Sequence, residues 1–323
     1  MRILVTGAGG AAAISVWKSL SAEHELFMAD MDPLATGLYL VPPERRLIIP
    51  RGDSPDLVPA LRRACETWRI EALLPTVDAE LMVVAADRKR FEAAGVAVPI
   101  SPLECLRLCR DKHLLMEAVH GQVPIPSSEP LTRQVADGVA AFPRFAKPRL
   151  GAGSRGIARI DNREDLEMQA MDGSVLLQEY LPGEEYSVDT YVRLDGRAIA
   201  AVPRVRMKID SGVAIASRTV DVPEVIRSAV RTAEIIGIRG VANVQFKRAS
   251  DGVFKLLEVN PRFPGTLPLT AAAGVDIPKL MVDELLGRPL PDQLMPFKEL
   301  MVVRYWTEHY FDAREWEALC RQH

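Results

Sequence analysis

Residues 241–262, VANVQFKRASDGVFKLLEVNPR, place an amide, a carboxylate and a second amide where two paired strands can aim them at one cation. Two apolar-rich runs, 242–248 and 253–259, flank the turn-forming Ala249, Ser250, Asp251 and Gly252, a pattern that predicts a β-hairpin. If the hairpin closes symmetrically, Gln245 lies opposite Leu256. Side chains alternate between faces, so Glu258 and Asn260 then share the Leu256 face, with Gln245 diagonal to Glu258. Three converging oxygen donors suit Mg²⁺, or Mn²⁺, which takes carboxylate and carbonyl oxygens and usually completes its shell with phosphate. Arg262 follows on the same side, a permanent cation suited to phosphate or carboxylate.

Two upstream stretches carry complementary chemistry. Residues 145–148 (FAKP) form a short apolar strand ending near Lys147, followed by the glycine-rich 151–157 (GAGSRGI). Glycines at such a turn let backbone N–H groups, here around Gly153 and Ser154, approach phosphate oxygens, and a nearby lysine adds a point charge. No Gly-Lys-Ser/Thr opens a helix, so this is not a Walker loop. The plain alternative is an ordinary hairpin loop beside a snorkelling lysine. Residues 175–181 (VLLQEYL) then form a strand leading into 182–189 (PGEEYSVD).

The hairpin ending in E-x-N-P-R, the lysine strand and the glycine loop, in this order, resemble the ATP-grasp enzymes, closest to the carbamoyl-phosphate synthetase and carboxylate–amine ligase branch. The resemblance runs from about residue 111 to about residue 290 and implies ATP and Mg²⁺ as cofactors. It implies that Gln245, Glu258 and Asn260 hold the metal and that Lys147 meets the α/β-phosphates under the glycine loop. Glu179 would accept the adenine amino proton, and the Tyr180 and Leu181 backbone would address the ring edge. Glu185, with Glu184 as its rival, would hold the ribose. Lys112, after Asp111, resembles the first nucleotide lysine, and its plain alternative is an exposed lysine behind a helix-capping Asp. Arg206 or Lys208, from a basic alternation with Arg204, would reach phosphates, and Arg262 would hold the substrate carboxylate or the transferring phosphoryl group. Many relatives carry an acid at position 245, and glutamine marks the carbamoyl-phosphate synthetase branch. A neutral ligand lowers the site's negative charge, so weak metal binding without ATP is expected.

The elements that must position this chemistry divide the chain. Residues 1–10 (MRILVTGAGG) read as a buried strand entering a glycine turn before a helix over 11–20. Further strands at 26–29, 46–49 and 72–75 alternate with helices at 57–68 and 80–94, which predicts a parallel sheet. The expected fold is thus mixed α/β and α+β: a Rossmann-like domain over 1–110, then a two-lobed ATP-grasp domain over 111–290. Its small mobile lobe spans about 113–175 and its larger lobe about 176–290. A dinucleotide reading of the glycine turn, with Asp30 or Asp32 on a ribose, is weakened by Ala13 at the third small position. The more natural role for the loops 7–10 and 75–78 is one wall of a substrate cleft, with Asp78 binding an amine or capping the following helix, the cap being favoured. A tail, 291–323, is too apolar at Tyr305, Trp306 and Trp316 to be disordered and is expected to pack back on the domains.

Composition narrows the function classes. The 323 residues, 48% hydrophobic and 26% charged, suffice for two or three packed domains. A net charge of −3 gives no footprint for nucleic acid or an anionic membrane, and no apolar run approaches a membrane span. Cys65, Cys105, Cys109 and Cys320 come without a histidine pair and read as thiols of a reducing cytoplasm. The favoured reading is an ATP-dependent carboxylate–amine ligase acting through an acyl phosphate on small substrates such as amino acids, with a homodimer as the family-based assembly. The alternatives are an enzyme making carboxyphosphate, a nucleotide-binding protein without turnover, and a dinucleotide-linked oxidoreductase using Gly7–Gly10.

Overall fold

The computed structural model describes all residues except 152–155, 211, 212, 322 and 323; Gly153 and Ser154 therefore lie outside the described residues. The described residues build three sheets. The first begins with β1 (Arg2–Thr6), whose last four residues are all buried, as in a strand covered on both faces. It is followed by α1 (Ala11–Leu20), β2 (Glu25–Asp30), β3 (Arg46–Ile48), α2 (Leu57–Trp68), β4 (Ala72–Leu74), α3 (Asp78–Ala86) and α4 (Arg88–Ala93). All pairings are parallel, in the order β3-β2-β1-β4. The single helix expected over 80–94 breaks at Asp87, the shared cap of α3 and α4.

The loops after β1, β2 and β4 emerge together at the carboxyl end of this sheet, where open α/β sheets place ligands. Their closeness explains Gly7. Its φ is +68°, and a Cβ there would lie 2.5 Å from Val77 Cγ2 and 2.8 Å from Thr76 Oγ1. The glycine turn is required by the approach of two loops, whatever either loop binds.

Helices α5 (Leu103–Arg110) and α6 (Lys112–Val119) lead into the second sheet. Asp111 caps α6 by accepting from the His113 and Leu114 amides, and its carboxylate also pairs with Arg149 at 2.8 Å. Then come β5 (Ser128–Thr132), α7 (Arg133–Asp137), β6 (Arg144–Pro148), β7 (Ala158–Ile160), α8 (Arg163–Glu167) and β8 (Asp172–Glu179). This antiparallel sheet runs β5-β8-β6-β7 over a small core of Leu131, Ala146, Ile160, Leu166 and Leu177.

The third sheet has the order β13-β12-β9-β10-β11-β14. It comprises β9 (Glu185–Val192), β10 (Ala198–Asp210), β11 (Val213–Thr219), β12 (Gly240–Arg248), β13 (Phe254–Asn260) and β14 (Met301–Val303). Helix α9 (Pro223–Ile236) buries Val225, Ala229, Ala233 and Ile236 against it, the i, i+3 and i, i+4 spacings of one helix face. Residues 265–286 hold two short helices, α10 (Leu267–Ala272) and α11 (Ile277–Leu285), each with proline in its first turn. Beyond β14, α12 (Ala313–Cys320) returns to the first sheet: Glu315 pairs with Arg46 at 2.8 Å, and Phe311 stacks on Tyr39 with centroids 3.9 Å apart. No described helix is long and apolar enough to cross a membrane.

Candidate active site

The β12–β13 hairpin forms over the expected residues, but its register differs from the symmetric one. Gln245 pairs directly with Glu258 and Asn243 with Asn260, whereas Phe246 pairs with Leu256. Leu257 is therefore an extra residue, a β-bulge. The bulge replaces the diagonal between Gln245 and Glu258 with a directly opposed pair. It also moves Asn243, which shares the Gln245 face in either register, from opposite Glu258 to opposite Asn260. The freed Leu257 carbonyl accepts from Lys147 Nζ at 3.1 Å, so the bulge is one point where the second and third sheets touch.

Side-chain hydrogen bonds tie this face together. Asn260 Nδ2 donates to Glu258 Oε1 at 3.1 Å, and Gln245 Nε2 donates to Asn243 Oδ1 at 3.1 Å. Asn243 Nδ2 donates in turn to Asp189 Oδ1 at 2.8 Å. Asp189, fully buried on β9, also accepts from Arg204 Nε and, at 2.6 Å, from Thr270 Oγ1. The NH₂ ends of Gln245 and Asn260 are thus both engaged, which leaves their carbonyl oxygens as the open ends on the hairpin face that carries Glu258. One carboxylate and two amide carbonyls form a hard, all-oxygen donor set that fits Mg²⁺ completed by phosphate. Among the described residues no three His, Cys, Asp or Glu side chains cluster as a ready-made cation cage.

Two lysines stand over this face. Lys147, 5% exposed at the end of β6, has its pKa lowered to about 8 by burial and by repulsion from Lys112, against the attraction of Glu258. Lys112 is also buried and donates to the Gly151 carbonyl at 2.7 Å, at the entrance to the glycine loop. Two buried ammonium groups with few anionic neighbours are costly unless an anion joins them.

The remaining sequence-derived candidates fall into two groups. Glu179, at the end of β8, is gripped by Lys255 Nζ at 2.7 and 2.8 Å and accepts from the Ser127 amide. Next to it, Arg159 lies over the Tyr180 ring at 4.7 Å and Leu181 is buried. Glu185 pairs with Arg206 at 2.9 Å, whereas Glu184 is taken by the Tyr186 hydroxyl. The basic alternation on β10 holds one face only for Arg204 and Arg206, because register shifts fall between Arg206 and Lys208 and between Lys208 and Ile209. Arg204 is buried on Asp189, Arg206 is half-buried and Lys208 is exposed.

Arg262 meets the first domain. Its Nε donates to Asp78 Oδ1 at 2.8 Å. Asp78 is therefore not the helix cap that the sequence favours: Val77 occupies the N-cap of α3, and no side chain caps it. A cavity of about 690 Å³ lies at this junction, lined by Arg204, Arg206, Arg262, Asn243, Gln245 and Asn260 on one wall. The opposite wall is made by Gly7, Gly9, Asp30, Asp32, Thr76 and Asp78. Asp30 accepts from the Gly9 and Asp32 amides and, among the described residues, meets no Lys, Arg or His side chain. Behind this wall, Glu80 is buried and accepts from the Thr6 hydroxyl; desolvation, with repulsion from Asp30, pushes its pKa up to about 7. Sequence reasoning missed Asn243, Asp189 and Lys255. Only Asn243 leaves a trace, since N-x-Q and E-x-N match across the hairpin.

Two family models match the chain. One, described as PylC-like, N-terminal domain, matches residues 3–99, and one described as ATP-grasp in the biosynthetic pathway with Ter operon matches residues 172–309. Together with the relatives below, these matches support the ATP-grasp superfamily for this chain. Solved structures agree on the ATP-grasp fold. The biotin carboxylase domain dimer of Hydrogenobacter thermophilus 2-oxoglutarate carboxylase, in complex with MgADP, ADP and bicarbonate, is similar with a TM-score of 0.73 at 18% identity over 90-odd per cent of the chain (92% of it, against 72% of that structure). The L-amino acid ligase of Bacillus licheniformis is similar with a TM-score of 0.69 at 16% identity, over 88% of this chain and 74% of that one. In sequence, the carbamoyl phosphate synthase large chain of Thermomicrobium roseum is 29% identical over 251 residues, 68% of this chain. The match spans only 22% of that relative's length.

Proposed function

We propose that the protein is an ATP-dependent ligase that activates a small carboxylate as its acyl phosphate and transfers the acyl group to an amine. The observation that carries this is the cavity between the hairpin and the first domain. It is continuous with Gln245 and Asn260, lined by three arginines on one wall and by Asp30, Asp32 and Asp78 on the other. A substrate with a carboxylate at one end and an ammonium at the other, such as an amino acid, matches that polarity.

In this reading the domain divides near residues 110 and 290, and ATP lies between the second and third sheets. Lys255 takes one lone pair on each Glu179 oxygen and the Ser127 amide a third, which leaves acceptor capacity for an adenine amino group. The Tyr180 and Leu181 backbone reads the ring edge, and Glu185 holds the ribose. Lys112, Lys147, Arg206 and the loop around Gly153 and Ser154 meet the phosphates, with Lys208 less suited because it is exposed. Gln245, Glu258 and Asn260 would hold Mg²⁺, which would supply charge neutralisation for the phosphates. Arg262, oriented by Asp78, holds the substrate carboxylate in line with the γ-phosphorus. The carboxylate oxygen bonds to that phosphorus as the bond to ADP breaks; the amine nitrogen then bonds to the acyl carbon, phosphate leaves, and the surplus amine proton passes to solvent.

Formation of carboxyphosphate from bicarbonate is the second reading, suggested by the likeness to carbamoyl phosphate synthase and biotin carboxylase chains. A cavity of about 690 Å³ is of drug-like size and favours a larger acid. A homodimer and a cytoplasmic setting complete the proposal, the latter supported by four free cysteines. The test is ADP release from MgATP across a panel of amino acids and other small acids, singly and in pairs. Release that needs one acid and one amine supports the ligase; release driven by bicarbonate alone would select the second reading.

A further inference from the structure

The metal-facing hairpin depends on an amide, Gln245, presenting its oxygen and not its nitrogen, and an amide does not choose between the two by charge. The surroundings of Asn243 make that choice. In register across three strands, Asn260 pairs with Asn243 and Asn243 with Asp189. Asp189 is held from the other side by Thr270 Oγ1 at 2.6 Å and by Arg204 Nε at 3.2 and 3.3 Å. A carboxylate beside a guanidinium accepts hydrogen bonds and donates none, so only the Nδ2 end of Asn243 can face it. That contact measures 2.8 Å. With Nδ2 turned to Asp189, Asn243 turns Oδ1 to its neighbour, and Gln245 must answer with its donor end, Nε2, at 3.1 Å. The carbonyl oxygen of Gln245 is then the free end of its amide, opposite Glu258. The order of donors and acceptors follows from the chemistry of Asp189 alone, and burial of Asp189 and Asn243 keeps water from substituting at either link.

We infer that Asn243, oriented by Asp189, is a positioning residue that sets the amide of Gln245 with its oxygen toward the cation. This inference rests on the metal-site reading above. It also gives glutamine at position 245 a physical role: a carboxylate there has no donor for Asn243, but its two equivalent oxygens need no orienting.

That contrast supplies the test. Mn²⁺ binding, in the presence of a non-hydrolysable ATP analogue, is measured by the electron paramagnetic resonance signal of free Mn²⁺, with circular dichroism to establish folding. Asn243→Ala is expected to weaken Mn²⁺ binding about tenfold or more, the usual effect of removing a group that orients a ligand. On a Gln245→Glu background the same substitution is expected to change Mn²⁺ affinity less than twofold. Asn243→Leu, which fills the volume without hydrogen bonding, gives the same comparison should the alanine variant not fold. Unchanged affinity in a folded Asn243→Ala protein would overturn the inference. Equal losses on both backgrounds would do so too, because Asn243 would then act only through the fold. Failure of the wild-type protein to bind Mn²⁺ with the analogue would instead remove the metal-site reading, and this inference with it.

Discussion

Replacing Lys147 with methionine should move two properties in opposite directions. The ammonium is 5% exposed, and its pKa is lowered from 10.5 to about 8. A difference of about 2.5 units corresponds to roughly 3 kcal/mol by which the folded apo-protein disfavours the charge at neutral pH. Lys147→Met removes that penalty and fills the space with an apolar chain of similar length. It also removes the bond to the Leu257 carbonyl, worth about 1 kcal/mol. The net expectation is an apo-protein more stable by about 1–2 kcal/mol, or a melting temperature several degrees higher. Affinity for MgATP should fall roughly 10- to 100-fold, since a charge-assisted bond to phosphate is worth about 1.5–3 kcal/mol. The pH dependence has a definite sign. Above about pH 8 the folded protein releases the Lys147 proton while the unfolded chain keeps its own until about 10.5, so apo stability rises across that window, and the methionine variant lacks the rise. Thermal melts with and without nucleotide, together with calorimetric titration of MgATP, read all three effects. A variant destabilised without ligand, or one that binds MgATP as tightly as the parent, would refute the assignment of Lys147 as a phosphate-binding group held at a cost to stability.

Other substitutions probe the site from different sides. Glu258→Ala should abolish MgATP turnover and leave the circular dichroism spectrum unchanged; retained turnover would remove Glu258 from the metal site. Asp78→Asn should leave Arg262 without its ionic partner and lower kcat/KM for the acid about tenfold, with little change in the KM for ATP; a purely ATP-side effect would move Arg262 to the phosphates. Glu80, raised from 4.5 to about 7 by burial, contributes roughly 3 kcal/mol of stability that is complete below pH 4.5 and is lost as pH rises to about 7. Urea denaturation at pH 5 and pH 7.5 should show this loss in the parent and not in Glu80→Gln, and an identical pH slope in both would exclude Glu80 as its source.

What could be read from sequence was local pattern, and what could not was register and tertiary partnership. The period-two runs around residues 249–252 give the hairpin, and alternating strands and helices over the first hundred residues give the parallel sheet. One extra residue at Leu257 re-pairs Gln245 with Glu258, and no propensity in K-L-L-E marks it, because a bulge is settled by what the freed carbonyl meets, here Lys147 from 110 positions away. Asp78 has the composition of a cap, yet its partner is Arg262, a choice that only the packing of two domains decides. Asp189 lies in a strand that reads as ordinary, and its importance comes from Arg204, Asn243 and Thr270 converging on it from three other elements. Arg204, Arg206 and Lys208 look equivalent as an alternating triplet, but Arg204 meets Asp189, Arg206 meets Glu185, and a register shift after Arg206 leaves Lys208 exposed.

Trapping the activated acid tests the central proposal most directly. The protein is incubated with MgATP, candidate acids and hydroxylamine in place of the amine, and the products are read by mass spectrometry. An acid hydroxamate that forms only with enzyme, MgATP and one class of acid, in step with ADP release, is the predicted result. ADP release driven by an acid with no hydroxamate formed, under conditions where hydroxylamine captures a synthetic acyl phosphate, would contradict it.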